Sequence, residues 1–375
     1  VNIGFFIDKA QTVQLILGLL IESKRRGHEC GVFSTCDPSC LSSEMHSQID
    51  ISGVSWHVRR DRHSLKDCVL SNADMYHAMV GINLFNNIWR DVYETRNIPT
   101  TVYSVEYCWN EIYNHRSDYN GNSTLFSNSE WTKNVIEDLT GYSNIKFLGS
   151  PWFELIKRFR VEKKDRKENR FITFMSPHNS FINNYPGFLN KTRVFLECLR
   201  GYCDKKGYGL VLKTRNKYGH KLDKVVNFDS VISDNKALSH LCLYANSECV
   251  INFSSSTINE LSFLEVPSLC VFPDFHANLH KERDNLFRAM SKINEKYYSG
   301  DIFDGIHTDM IESGEFHSND QFRDKMSDNM EKLDNLILSN KRDWQSFQKT
   351  YFPGNHENSS GRILDYIEKQ CFKKV

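Results

Sequence analysis

Twice along this chain a short apolar run gives way to a helical pattern and then to another short apolar run, and this strand–helix–strand order constrains the fold most tightly. The first unit joins Ile3–Ile7 as a strand to Thr12–Arg26 as a helix, with Val13, Leu15, Ile16, Leu19 and Leu20 at helical spacing. After Gly27 it returns as a strand over Glu29–Ser34. Further strands are expected at Val54–Val58, Met75–Val80, Thr100–Ser104, Thr124–Ser127 and Ile145–Leu148. A second series places strands at Phe171–Met175, Gly209–Lys213, Cys249–Phe253 and Ser268–Phe272, and helices at Phe188–Gly201, Leu238–Tyr244 and Thr257–Leu264. Alternation of this kind predicts parallel sheets covered by helices, hence an α/β fold of two Rossmann-like, doubly wound domains facing across a cleft. The first domain is expected over residues 1–155 and the second over 171–340, with helical residues 341–375 packing back on the first.

A length of 375 residues fits two domains, and a charged fraction of 25% beside a hydrophobic fraction of 40% excludes a disordered chain. Lys+Arg 47 balances Asp+Glu 47, which removes the positive field expected of a nucleic-acid binder, so no nucleic-acid partner is expected. No apolar run reaches the ~18–20 residues that span a bilayer. The opening Val1–Asp8 lacks the basic flank of a signal peptide and reads as a buried strand, so the expected location is cytoplasmic and the Asn122 and Asn190 sequons carry no sugar. The 11 cysteines are scattered through apolar contexts with no C-x-x-C pair, so reduced buried thiols are expected; the Cys30, Cys36 and Cys40 cluster has no histidine at ligand spacing, and no metal site is expected.

Residues 156–170 form a basic linker in which Lys157, Arg158, Arg160, Lys163, Lys164, Arg166, Lys167 and Arg170 alternate with acids. It reads as a solvated connector; the sharper reading is a basic face that makes peripheral membrane contact with an anionic or membrane-associated acceptor.

The chemistry-bearing stretch runs Cys249-Val250-Ile251-Asn252-Phe253-Ser254-Ser255-Ser256-Thr257-Ile258-Asn259-Glu260, followed by a strand led by Pro267. A strand that ends in four hydroxyl residues opening a helix aims backbone N–H groups and hydroxyls at one point, where the helix dipole is positive, so it can cradle a diphosphate. Glu260, one turn in, can accept the hydroxyls of a ribose. A capping box, Thr257-x-x-Glu260, needs no ligand, and local spacing leaves both readings open. Lys213 and Arg215 alternate at a strand end and can neutralise a leaving group, or simply face water; Arg193 and Arg200 read as surface. His178, in the turn after Phe171–Met175, can touch a phosphate or a base, or be solvated. His77 reads as a core histidine within a strand.

In outline this chain resembles the GT-B glycosyltransferases of surface-polysaccharide type and the related non-hydrolysing UDP-GlcNAc 2-epimerases. The stretch just quoted is similar to their nucleotide-sugar turn. Ser127-Asn128-Ser129-Glu130-Trp131 with Leu148-Gly149-Ser150-Pro151 resembles their interdomain passage, Leu212-Lys213-Thr214-Arg215 a strand end of polysaccharide-type members, and Ser360–Ile367 their closing helix. The resemblance implies an enzyme that moves a sugar from a nucleotide-sugar donor to a glycan or lipid-linked glycan acceptor, with the donor as substrate and no further cofactor. It also implies a donor site at Ser254, Ser255, Ser256, Thr257 and Glu260, with Lys213, Arg215 and His178 nearby. The epimerases carry Asp-Ser-Gly-Gly and then Gln-Glu-Glu where this chain has Asn252–Ser256 and Asn259-Glu260-Leu261, which tells against epimerase chemistry. The second glutamate of many retaining members is replaced by Ser268, favouring inversion, and no Asp-x-Asp pair occurs to hold a metal–diphosphate.

Inversion needs a base from the first domain. Asp8 and Glu106 each follow a predicted strand at its carboxyl end, and the resemblance favours Asp8, where many inverting relatives keep their base. Asp8 can also cap the helix that follows, and Glu106 can be paired with a cation. Tyr107, Trp109 and Trp131 can stack sugars, but core packing explains them as well. The alternatives to a transferase are an epimerase acting on the same donor and a non-catalytic nucleotide-sugar or glycan-binding module.

Overall fold

The computed structural model describes residues 1–7, 10–37, 53–82, 100–103, 124–160, 170–176, 188–214, 221–233, 238–253, 257–271, 330, 333–334, 337 and 344–373. Contacts divide the chain into two compact units, Val1–Arg158 with Lys236–Ser239 and Gln348–Val375, and Phe159–Asn235 with His240–Phe347.

The first unit contains β1 (Asn2–Ile7), α1 (Ala10–Arg25), β2 (Glu29–Ser34), β3 (Ser55–Val58), α2 (Arg62–Asn72), β4 (Ala78–Ile82), β5 (Thr100–Tyr103), β6 (Thr124–Phe126), α3 (Glu130–Thr140), β7 (Ile145–Lys146) and α4 (Pro151–Lys157). Its described strands pair in parallel in the order β3-β2-β1-β4-β5-β6-β7, so the direction of winding reverses between β1 and β4. Ile3, Phe5, Phe6 and Ile7 point alternately to opposite faces, yet all are 0% exposed. Both faces at β1 are therefore covered, which is why that strand reads as an unbroken apolar run.

The second unit contains β8 (Phe171–Met175), α5 (Phe188–Lys206), β9 (Gly209–Lys213), β10 (Ser230–Ile232), α6 (Ser239–Asn246), β11 (Cys249–Phe253), α7 (Thr257–Leu264) and β12 (Ser268–Val271). The strands are again parallel, in the order β10-β9-β8-β11-β12. The crossover through α5 runs one way across the sheet, and those through α6 and α7 run the other, so right-handed connections put α5 on one face and α6 and α7 on the opposite one. Packing agrees with this. Leu196, Leu199 and Cys203 of α5 join Phe174, Leu212 and Ile251 in one core, whereas Tyr244 of α6 donates its hydroxyl to Met175 Sδ at 3.3 Å.

The chain closes with α8 (Trp344–Tyr351) and α9 (Ser359–Phe372). α9 packs against α1 and α4 of the first unit. Its Ile363, Leu364 and Ile367 are buried, and Arg26 at the end of α1 binds Asp365 at 2.6 Å, Glu368 at 3.0 Å and the Gly361 carbonyl at 3.0 Å. Ser150 caps α4 by accepting from the Phe153 amide at 3.3 Å, and its own amide donates to His356 Nδ1 at 3.2 Å. His356 Nε2 in turn donates to the Phe352 carbonyl at 3.0 Å. The Ser360 amide and hydroxyl both donate to Glu154 of α4, at 2.9 and 3.0 Å.

Several sequence expectations need correction. The strand expected from Met75 begins at Ala78, after a 3-10 turn over Ala73–Met75, and His77 lies exposed before it, accepting from the Asn2 amide at 3.0 Å. The strand expected to reach Leu148 stops at Lys146. α5 runs past Gly201 to Lys206, because burying Tyr202 and Cys203 outweighs the ~1 kcal/mol cost of a helical glycine. Arg200 is not a surface residue: its side chain is 17% exposed and is pinned by Asp204 and Asp229 at 2.7 and 2.6 Å. Arg193 is surface, 56% exposed, with Glu197 3.5 Å away. Residues 161–169 of the basic stretch and residues 341–343 at the start of the expected closing helices lie outside the described residues.

Among the described residues no helix is long and apolar enough to cross a membrane. Cys30 and Cys203 are buried free thiols, pushed up by desolvation to about 11 and about 12. Cys36 lies 2.9 Å from Ser34 Oγ, and Cys40 is outside the described residues.

Two predictions follow from the way α9 is held. Gly149 has φ +90°, and a Cβ there would sit 2.1 Å from Ser359 Oγ and 2.8 Å from the Asn355 carbonyl, whereas Gly141, at φ +71°, faces open space. Gly149→Ala should therefore cost at least ~2 kcal/mol in chemical denaturation, and Gly141→Ala only ~1 kcal/mol. His356 is 5% exposed, and desolvation lowers its pKa from 6.5 to about 4. Below pH 6.5 the unfolded chain takes up a proton that the folded ring refuses, so this group's contribution is complete above pH 6.5 and is lost as pH falls towards 4, by at most ~3 kcal/mol. Melting temperature over that interval should fall less steeply in His356→Gln than in the parent.

Candidate functional site

In an open parallel sheet, ligands bind outside the carboxyl ends of the strands where the winding reverses. In the second unit that point lies between β8 and β11, and the residues there come from β8, β9, β11 and the start of α7. Register puts Thr173 and Met175 of β8, Val211 and Lys213 of β9, and Val250 and Asn252 of β11 on the face covered by α6 and α7. On β9 and β11 this face turns polar towards the carboxyl edge, from Val211 to Lys213 and from Val250 to Asn252, while β8 runs from Thr173 to Met175. Thr173 Oγ1 meets Ser247 Oγ at 2.7 Å, and Asn252 Nδ2 donates to Ser268 Oγ at 3.3 Å, tying β11 to β12.

Lys213 is the last residue of β9 and is 8% exposed, so the reading of a charged strand end facing water fails; its stem lies on the sheet face. Its carbonyl accepts from the Ser176 amide at 2.9 Å, which holds the first residue beyond β8 against the end of β9. Thr257 is the first residue of α7 and is 9% exposed. Because Thr257 is itself helical, it is not the N-cap that a capping box with Glu260 requires. Its carboxylate instead meets a neighbouring helix: Glu260 Oε2 is 3.3 Å from His240 Nε2 of α6, with side chains 17% and 19% exposed. Asn259, between Thr257 and Glu260, is 3% exposed, and its Oδ1 has no hydrogen-bond partner among the described residues.

Of the expected site residues, the structure thus places Lys213, Thr257 and Glu260 at the carboxyl edge of one sheet. Asp8, Glu106, His178, Arg215, Ser254, Ser255 and Ser256 lie outside the described residues, as do Tyr107 and Trp109. In the first unit, Ser127, Asn128 and Ser129 form a buried polar turn at the end of β6, in which Ser129 caps α3 by accepting from the Thr132 amide at 3.0 Å. Sequence reasoning missed His240. Nothing in its local pattern marks it, and its pairing with Glu260 requires knowing that α6 and α7 share a face.

Chemically, the start of α7 offers a positive dipole end, a buried hydroxyl, and a carboxylate one turn in, with a lysine on the same sheet face. That set suits an anion joined to a polyhydroxylated group. Among the described residues no group of three or more His, Cys, Asp or Glu side chains is placed to hold a metal ion.

The sequence matches no protein-family model and no curated protein. The fold does have solved counterparts. The UDP-GlcNAc 2-epimerase from Methanocaldococcus jannaschii superposes with a TM-score of 0.62 at 13% identity, over 98% of this chain and 100% of that one. The epimerase from Neisseria meningitidis bound to UDP-GlcNAc gives 0.58 at 11% identity, over 98% and 100%. The wall teichoic acid polymerase TagF gives 0.59 at 10% identity, over 100% and 89%. The strand orders of both sheets and these counterparts establish the fold expected from the sequence, two Rossmann-like α/β domains of the GT-B type.

Proposed function

We propose that the chain transfers a sugar, or a related polyol unit, from a nucleotide-activated donor to a glycan or lipid-linked glycan acceptor, with inversion and without a divalent metal. The observation that carries this reading is the edge of the second sheet, where β11 leads into a helix bearing Thr257 and Glu260, with Lys213 buried on the face that helix covers. The donor diphosphate sits at Ser254–Thr257, where the helix dipole and Lys213, Arg215 and His178 offset its charge. Glu260 accepts the ribose hydroxyls. Asp8, or failing it Glu106, takes the proton from the acceptor hydroxyl. That oxygen then bonds to the reacting carbon on the face opposite the diphosphate, whose bond to the carbon breaks as the nucleotide departs.

Support comes from two directions. Counterparts of the fold were solved holding UDP-GlcNAc, and UDP-GlcNAc with UDP. Fold alone separates neither transferase from epimerase nor either from a binding module. The turn Asn252–Ser256, which lacks the Asp-Ser-Gly-Gly of the epimerases, tips the reading towards transfer, and a polymerase is among the fold's counterparts. No cofactor beyond the donor enters the scheme. The reaction is placed in the cytoplasm, with the basic stretch around residues 156–170 making peripheral contact with a membrane-held acceptor.

Incubation with UDP-, CMP-, GDP- and CDP-linked sugars in excess EDTA, with and without glycan acceptors, should release free nucleotide from one donor class. An epimerised donor with no nucleotide release would replace transfer by epimerisation, and tight binding with neither product would leave a binding module. Glu260→Gln should weaken nucleotide binding about tenfold or more, the worth of a charge-assisted hydrogen bond, while costing ~1 kcal/mol or less in folding. Asp8→Asn should leave donor binding intact and slow transfer by about 10²-fold or more; full activity there, with loss in Glu106→Gln, would move the base to Glu106.

A further inference from the structure

Glu260 is anchored to the sheet through a relay of side chains. Tyr244 of α6, 2% exposed, is fixed by its hydroxyl donating to Met175 Sδ at 3.3 Å. The His240 ring lies edge-on to Tyr244, with centroids 5.5 Å apart and planes at 66°. His240 Nε2 then reaches Glu260 Oε2 at 3.3 Å. A glutamate on the first turn of a helix has three rotatable bonds, and the loss of their freedom opposes any contact it makes. Here part of that freedom is already restricted in the folded protein, because one carboxylate oxygen lies against the His240 ring.

We propose that His240 is the positioning residue for the nucleotide ribose: by holding Oε2 of Glu260, it presents Oε1 to the vicinal ribose hydroxyls. This rests on the reading of Glu260 as the ribose acceptor. His240 touches no reacting atom; it acts through Glu260, by fixing where the acceptor oxygen stands before the ligand arrives. The other role open to such a pair is a plain tie between α6 and α7. That role would alter stability and leave untouched any discrimination between nucleotides with and without ribose hydroxyls, so the two roles separate in a binding experiment.

The full chain is titrated calorimetrically with UDP, CDP and GDP, each beside its 2′,3′-dideoxy analogue. The proteins are the parent, His240→Phe, His240→Gln, Glu260→Gln and the double variant His240→Phe with Glu260→Gln. Phe keeps the ring contact with Tyr244 and removes the donor; Gln keeps an N–H near the position of Nε2. The parent should prefer one ribonucleotide over its dideoxy form by about tenfold or more. His240→Phe should lose most of that preference while binding the dideoxy form within about twofold of the parent, and His240→Gln should restore it. In the Glu260→Gln background His240→Phe should add nothing, since the two residues act as one unit. His240→Met, a second variant without a donor, should behave as His240→Phe does and stands in if that protein does not fold. A lowered melting temperature with the ribose preference intact, or equal losses for both forms, overturns the role of His240 and leaves Glu260 as ribose acceptor. No ribose preference in the parent, or no nucleotide binding, overturns the reading of Glu260 and this proposal with it.

Discussion

Parallel strand pairing governs the architecture of both units. Two parallel neighbours cannot be joined by a tight turn, so the chain must cross back over the sheet after each strand, and every strand ends at the same edge. Where the order runs β3-β2-β1-β4 in one sheet and β10-β9-β8-β11 in the other, successive crossovers leave the middle of the sheet in opposite directions. In open parallel sheets of this kind, room for a ligand opens outside the carboxyl ends of the strands at such a reversal, without any residue being chosen for that purpose. The side chains decide only what kind of ligand the room accepts.

In the second unit that choice is made on one sheet face. The face under α5 is apolar throughout its core, with Phe174, Leu212 and Ile251 among its members. The opposite face carries Thr173, Lys213 and Asn252, each fully or almost fully buried. Buried polar groups are costly unless satisfied, and the pairs Thr173–Ser247 and Asn252–Ser268 meet that cost by linking strands to their neighbours. The same winding that puts α6 and α7 over this face brings His240 and Glu260 within reach of each other.

How much of this was legible in the sequence depended on burial. β1, β2 and β8 are visible as apolar runs because every residue after the first is buried, and β11 because Cys249–Asn252 are. β10 left no such trace: Ser230 and Val231 of its three residues are exposed, and one bare sheet edge need not follow an apolar pattern. Local rules also misjudged Gly201, where tertiary burial overrode a helix stop, and Arg200, whose guanidinium is held by partners on α5 and beyond β9. The start of α7 could be read from hydroxyl spacing, since that signal is local. The His240–Glu260 pair could not, because it depends on strand order and the hand of the crossovers, which one-dimensional spacing does not contain.

The first unit is discontinuous, and this has a consequence in time. Residues 348–375 belong to the same compact body as residues 1–158, with the whole of the second unit's sequence between them. A ribosome adding about 5–20 residues per second would hold the early segment without its last helix for roughly 10–40 s. Throughout that interval the groove beside Gly18, the Ser150 amide and the apolar bed later filled by Ile363, Leu364 and Ile367 stand open to water. The second unit has all its sequence in hand before α9 is made, so on the ribosome the later-encoded body can fold first.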